Sequence, residues 1–577
     1  MRLGNSSRKD RASRATLIRI LAVAASSSPL PAQPAGESRV CRPCHSAIVQ
    51  TYAQTGMGRS FSPVEFTSLG EFRAGTRFYH APSARYYEMK LVNGRPMQRR
   101  WQLDAAGKET NAVEMEIHFV IGSGNHSRTY AHRKPSGKLV QLPVSWYSED
   151  AGHFAMSPGY NRPRHSDFQR EIPDSCLFCH NGYPSAAGLA HGIECSRCHG
   201  AGEAHAARRG PIVNPAKLPA DRRMEVCLQC HLESASRSVP DAIRRFDRLP
   251  FSYLAGEPLG DFQIYFDRAA PGKDDGFTVN HSAYGLGQSR CFLKSEGRLT
   301  CLTCHDPHSV QRGAAAEARY TAACLNCHAG VHPERAAGCT GCHMPKRPTE
   351  DAVHVTMTDH RIRRTPGEGL LDPMRERHGR YDGPVRPLYP ARLPDTAENR
   401  LYQAVAALTE TARLKEHTDR LAGLLDSGKP RVAGFYIALA DALRRMGQGA
   451  KAEGHYRRAM EFDAANIAPR LALAELLIAR GDNRDAARVL ETAAEADPAV
   501  LNALAVARTG LGDYTGALAA LRRAAELDPA LPMTWLNMGV TFHAAGQHER
   551  AVEAWRTALR LDPDLTRAAE LLRRYSR

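Results

Sequence analysis

Two kinds of hydrophobic pattern divide the chain. From about residue 396 onward, Ala and Leu recur at helical spacing with Arg and Glu between them, the pattern of helices that bury one stripe. Turn glycines fall at Gly447, Gly481, Gly512 and Gly546, at intervals of 34, 31 and 34. Asp497-Pro498, Asp528-Pro529 and Asp562-Pro563 close successive units. A fixed period of this length predicts stacked helix pairs. The unit ending at Pro529 is three residues short, a deficit expected in its first helix. A weaker pair is expected over about 397–426, and a capping helix after Pro563. Between residues 72 and 148 the pattern changes to short alternating runs: Tyr86 to Leu91, Met97 to Leu103, Val113 to Ile121 and Leu139 to Trp146. Asn93-Gly94, Ala106-Gly107 and Ser136-Gly137 separate them. This predicts a small antiparallel β insert of four to six strands, packed over the first of the sites described below.

The helical units resemble the tetratricopeptide repeat (TPR). The last unit carries the clearest match, with Trp535, Met538, Gly539, Phe542, Ala551, Trp555, Ala558 and Pro563. The resemblance implies an α-solenoid whose concave face takes peptides or protein segments. Ahead of it, residues 365–395 hold Pro366, Pro373, Pro384, Pro387, Pro390 and Pro394, and are expected to run as an extended linker along the preceding domain.

The rest of the chain is set by its cysteines. Fourteen of 15 Cys fall in one pattern, Cys-x-x-Cys-His, the attachment signature of c-type haem. It occurs at Cys41/Cys44/His45, Cys176/Cys179/His180, Cys195/Cys198/His199, Cys227/Cys230/His231, Cys301/Cys304/His305, Cys324/Cys327/His328 and Cys339/Cys342/His343. Two thiols three positions apart share one side of a helical turn, where each forms a thioether to a haem vinyl group. The adjacent His becomes the proximal iron ligand. A Cys-x-x-Cys alone leaves disulfides or zinc open, but a following His at all seven sites does not. Seven haems in about 330 residues leave few regular elements between them, and the porphyrins are expected to supply much of the core. Cys176 and Cys195 are 19 residues apart, and Cys324 and Cys339 are 15 apart, so neighbouring haems are forced together.

Length and charge change this picture little. A chain of 577 residues, 42% hydrophobic and 24% charged, reads as two or three soluble domains. A net charge of +16 invites a nucleic-acid reading. The segment from Met1 to Ala32 holds six Lys/Arg and one Asp, so the remainder carries +11. The propionates of seven haems bring the holoprotein near neutrality, which argues against nucleic acid. Residues 1–35 read as a signal peptide: a basic start (Arg2, Arg8, Lys9, Arg11, Arg14), a short apolar run from Leu17 to Ala25, and cleavage near Ala32 or Ala35. That run is too short to span a bilayer, and no integral membrane segment is expected. The location implied is periplasmic or extracellular, where c-type haem is attached.

The second axial position decides between carrying electrons and catalysis. Fourteen further His lie in the haem region: His80, His118, His126, His132, His153, His165, His191, His205, His281, His308, His332, His354, His360 and His378. By context, His191, His205, His281, His308, His354 and His360 are the distal candidates. Three segments carry a resemblance to the multihaem cytochromes related to hydroxylamine oxidoreductase and pentahaem nitrite reductase. They are Cys195–His205, Cys301–His308, and Cys339–Pro345 followed by Asp359-His360. More narrowly, the chain resembles bacterial proteins that join such a cytochrome to TPR repeats. The haem part of the resemblance covers about 40–364 and the repeats about 430–565.

Three departures qualify it. Met57 stands where relatives often carry a distal His after the first motif, and a Met ligand would raise that haem's potential. All seven motifs end in His, whereas nitrite reductases of this group often use a Lys in one. Cys291 is unpaired, either a buried thiol or a reactive one beside Arg290. The segment holding His126, Arg128 and Tyr130 mixes residue types that bind oxyanions near an open haem, or serves as a structural hairpin.

The sequence therefore reads as mainly α: a signal peptide (1–35), a seven-haem cytochrome c domain (36–364) with its β insert (72–148), a linker (365–395) and a TPR α-solenoid (396–577). The expected function is electron transfer, with redox partner proteins docked on the repeats. The alternatives are an oxidoreductase for a small nitrogen or sulfur compound such as nitrite, hydroxylamine, sulfite or tetrathionate, and a structural subunit that self-assembles.

Overall fold

The computed structural model describes residues 37–64, 70–72, 75–184, 188–233, 242–269, 276–329, 338–352, 354–365, 369–370, 372, 374, 376, 381–493 and 497–576. The expected signal peptide, His332 and His378 lie outside them. Helix α1 (Glu37–Tyr52) opens the described chain, and two antiparallel sheets follow. The first has β2 (Thr76–His80), β3 (Arg85–Val92), β4 (Arg95–Leu103) and β5 (Glu109–Glu116) in sequential order. The second joins β1 (Phe61–Pro63), β6 (Phe119–Ile121), β7 (Ser127–Arg133), β9 (Val144–Tyr147) and β10 (His153–Met156), with β8 (Leu139–Gln141) on β7.

The alternation that predicted strands places Arg85, Tyr87 and Met89 of β3 inward. Asn93 and Gly94, both at positive φ, make the two-residue turn into β4. The insert is larger than its sequence suggested. Eight strands lie within 72–148, where four to six were expected, and they form two sheets, with β1 and β10 joining from outside that range. Tyr87, Val113, Ile117, Val120, Tyr130 and Leu142 pack as its core.

Helices α2 (Asp174–His180), α3 (Ser196–His199), α4 (Glu203–Ala206), α5 (Ala220–His231), α6 (Ser282–Gly287), α7 (Arg290–Lys294), α8 (Cys301–Cys304), α9 (Gly313–His328) and α10 (Cys339–His343) make up the haem region. Small sheets punctuate them. Strand β11 (Ala242–Arg244) pairs β12 (Gln263–Arg268), and β13 (Lys346–Pro348) pairs β14 (Thr356–Thr358). Strand β15 (Val385–Tyr389), in the Pro-rich segment, pairs antiparallel with β12. Tyr389 Oη donates to Glu225 Oε1 at 2.6 Å.

The solenoid follows as α11 (Ala397–Ala407), α12 (Leu414–Gly428), α13 (Ala433–Arg445), α14 (Gly449–Phe462), α15 (Ile467–Arg480), α16 (Asn483–Glu491), α17 (Pro498–Gly510), α18 (Tyr514–Leu527), α19 (Pro532–Ala544), α20 (His548–Leu561) and α21 (Thr566–Tyr575). The short unit keeps its first helix, contrary to the sequence expectation: α17 has 13 residues, as α19 does. The difference lies in the preceding helix: α16 has 9 residues where α14 and α18 have 14. Asp497 itself caps α17 by accepting from Ala499 N.

The solenoid is seated on the preceding part of the chain at both ends. Near its start, Phe246 packs between Tyr402 and Phe435, and Arg245 bonds Glu398 and Asn399. Near its end, Leu561 enters the core of the β insert.

Candidate haem-binding centre

Each Cys-x-x-Cys-His unit lies on a helical turn with its His at or just past the end. His180, His199, His231, His328 and His343 are the last residues of α2, α3, α5, α9 and α10, and His305 caps α8. His45 breaks the helical geometry inside α1, next to Pro43 of its own motif. The helical turn brings the two thiols of a motif to one side, and no cysteine forms a disulfide.

Imidazoles from distant parts of the chain face one another. The His45 and His205 ring centres are 6.5 Å apart with planes 11° from parallel. His199 and His308 are 5.8 Å apart at 15°, and His305 and His360 are 6.1 Å apart at 35°. Two metal–imidazole bonds of about 2 Å each, with the ring radii added, set opposed rings about 6 Å apart. Hydrogen bonds fix which nitrogen can ligate. His199 Nδ1 donates to the Val213 carbonyl at 2.8 Å, His343 Nδ1 to Arg363 at 2.7 Å and His360 Nδ1 to Thr358 at 3.0 Å. Each bond leaves the Nε2 lone pair free. Burial pushes His180, His231 and His360 below the usual imidazole range and His305 down to about 4, so these rings are neutral at pH 7. Thiol pairs and neutral imidazoles with a locked tautomer fit a c-type haem.

The same test removes three histidines. His118 Nδ1 accepts from Arg133 N, and His165 Nδ1 accepts from Asp167 N. The His118 proton must therefore sit on Nε2, where no lone pair remains for iron, while His165 Nε2 is taken by the Arg85 guanidinium at 3.2 Å. His80 has both nitrogens engaged, with Ser83 and Asn161.

The other candidates lie as follows. The Met57 carbonyl accepts from Ile193 N at 3.0 Å, which holds its half-buried side chain near the segment that starts at His191. His281 is buried against Phe277 and Tyr284, and His354 packs on Tyr147 and His153. Cys291 sits on α7 close to Cys304 and Cys324. Arg128 and Tyr130 both turn onto Glu71, at 2.7 and 3.0 Å, while His126 is exposed beside Glu149. The structure thus does not gather the latter three into one site.

Sequence reasoning did not order the motifs in space. Cys41 meets Cys195, Cys179 meets Cys230, Cys227 meets Cys301 and Cys324 meets Cys339. Cys198 neighbours Cys230, and Cys304 neighbours Cys324. The motifs therefore follow one another as first, third, fourth, fifth, sixth and seventh, with the second joined to the fourth. Arg197, fully buried, lies 4.0 Å over the Phe178 ring among motifs two, three and four. No sequence signal marked it.

The attachment thiols differ in exposure. Cys44, Cys327 and Cys342 are exposed. Each is the second cysteine of its motif. Cys176, the first cysteine of its motif, is exposed as well.

Comparison with known proteins fits the division between haem region and solenoid. A family model described as a doubled CXXCH motif matches residues 295–333, which hold the fifth and sixth motifs. Models of the tetratricopeptide repeat match 429–507, 499–531 and 534–565. No curated protein matches the chain. Among solved structures, the chain is similar to YrrB, a TPR protein with an unusual peptide-binding site: 19% identity over 31% of this chain and 92% of that one, TM-score 0.28. It is also similar to MamA from Desulfovibrio magneticus RS-1, at 17% identity over 30% of this chain and 99% of that one, TM-score 0.27. The TPR protein TTC0263 from Thermus thermophilus matches at 16% identity over 31% and 97%, TM-score 0.25. The doubled motif points to covalent c-type haem, and the repeats point to protein–protein contact. Among the described residues no helix is long and apolar enough to cross a membrane.

Proposed function

We propose that this chain is a periplasmic or extracellular electron-transfer cytochrome with seven covalently bound haems, joined to a TPR module that takes a redox partner protein. It resembles the cytochromes related to hydroxylamine oxidoreductase and pentahaem nitrite reductase. The observation that carries the reading is the facing of imidazoles: His205 toward His45, His308 toward His199 and His360 toward His305. A haem iron held between two imidazoles is a low-spin centre that takes up and gives back one electron. The protein's part is to hold and orient. The carbonyls of Val213 and Thr358 fix ring orientation. The succession of motif contacts supports a continuous relay with the fourth motif as its junction. Localisation rests on the leader-like start of the sequence and on where c-type haem is attached.

The competing reading, an oxidoreductase for a small nitrogen or sulfur compound, needs one iron with an open face. Intact mass of the purified holoprotein, followed by carbon monoxide added to its reduced form, separates the two. The carrier reading expects seven haems and no carbon monoxide complex. A haem that binds carbon monoxide would overturn it, and assays with nitrite, hydroxylamine, sulfite and tetrathionate would follow. The structural-subunit reading predicts concentration-dependent oligomers, and a strictly monomeric protein contradicts it.

A further inference from the structure

The last three turns of the solenoid meet the β insert through opposite charges, one pair to each turn. Lys138 Nζ lies 3.0 Å from Asp497 Oδ2, Lys134 Nζ lies 2.7 Å from Asp528 Oδ2, and Arg85 Nη2 lies 2.8 Å from Asp564 Oδ2. The acids belong to the Asp-Pro turns that recur along the repeats. The bases belong to one body: Arg85 opens β3, and Lys134 and Lys138 flank the turn from β7 to β8. Glu171 also faces both lysines, at 3.6 and 3.3 Å, and Asp167 lies 2.7 Å from Arg100.

Between these pairs the contact is made by backbone. Arg100 donates to the carbonyls of Arg560 and Leu561, at 3.1 and 2.7 Å. Ser136 N donates to the Leu527 carbonyl at 3.0 Å, and Gln169 Nε2 to Ala530 at 2.6 Å. Leu527 and Leu561 end α18 and α20. A helix C-terminus leaves carbonyls without partners and carries the negative end of the helix dipole. The insert supplies the missing donors and the cations together. Side-chain exposure is 5% for Lys134, 3% for Asp528 and 0% for Arg85, so the Lys134–Asp528 pair is closed to solvent, while Asp564 and Glu171 at the edges remain 39% exposed.

We infer that this turn edge of the solenoid is a docking surface whose partner is the chain's own β insert. The repeats brace the insert over the haem region, and any second protein must use another face. Hydrogen exchange read by mass spectrometry on the full holoprotein tests this. In Asp528→Lys, exchange rises about tenfold or more both in the 133–139 hairpin and in the last turn of α18, because a buried charge has lost its partner. Combining it with Lys134→Asp brings both segments back toward wild type. Hairpin exchange unchanged by Asp528→Lys, or a double variant no better than the single one, overturns the inference. Should Asp528→Lys fail to accumulate, Asp497→Asn at the more accessible pair is expected to raise hairpin exchange about threefold, and no rise there counts equally against it.

Discussion

His199 and His308 lie far apart in the sequence, yet their rings face at 5.8 Å. The motif histidines were legible in the sequence because the attachment signature fixes their distance from two cysteines. The rings that face them were not, since a facing ring need only be brought near by the fold, and nothing local marks it. A histidine's hydrogen bonds carry more information than its neighbours in sequence. Those of His118 and His165 exclude them, and the carbonyl contacts of His199 and His360 select them. His126, Arg128 and Tyr130 looked like an anion site because Glu71, the partner of two of them, lies well away in the chain. The exposure of Cys44, Cys327 and Cys342 was equally hidden, since the motif is the same whether the fold covers it or not. His165 also sets a pH response. Burial lowers it to about 3, with Arg85, His80 and Arg100 adding to that against the opposing Asp167. The folded state then binds fewer protons than the unfolded one between about pH 6.5 and 3. This stabilisation is complete above pH 6.5 and is lost as pH falls through that window. His165→Gln should flatten the acid limb of a stability-versus-pH curve measured by denaturant unfolding, and an unchanged limb would remove His165 from the account.

At the scale of elements, the solenoid was the most legible part because its helices are local and periodic. The missing residues of the short unit were misplaced by sequence alone, since a fixed period does not say which helix is shortened. Asp497 caps α17 directly. The β insert was legible strand by strand and less so as a whole. Strands β1 and β10 are short pieces completed by partners elsewhere, and short strands carry little pattern of their own. Tight packing between repeat helices gives a direct test. A Cβ added at Gly539 would collide with the Trp555 ring and with the Ala551 carbonyl. Gly539→Ala should therefore destabilise the solenoid by about 1–3 kcal/mol despite the gain in helix propensity, seen as a lower thermal midpoint by far-ultraviolet circular dichroism. An equal or higher midpoint would mean that α19 and α20 can move apart at no cost.

For the whole molecule, the thiol contacts turn seven separate motifs into one connected run, with a branch at the fourth. Such an arrangement suits electron relay, and the brace formed by the repeats keeps the insert fixed against it. None of this long-range order was legible in the sequence, because it arises from contacts between segments rather than within them. The central claim is that the facing imidazoles are axial pairs. Its most direct test is low-temperature electron paramagnetic resonance of the ferric holoprotein beside His308→Gly. The account predicts that the variant gains one high-spin haem while the signals of the other haems stay as in wild type. A variant spectrum identical to wild type would contradict it.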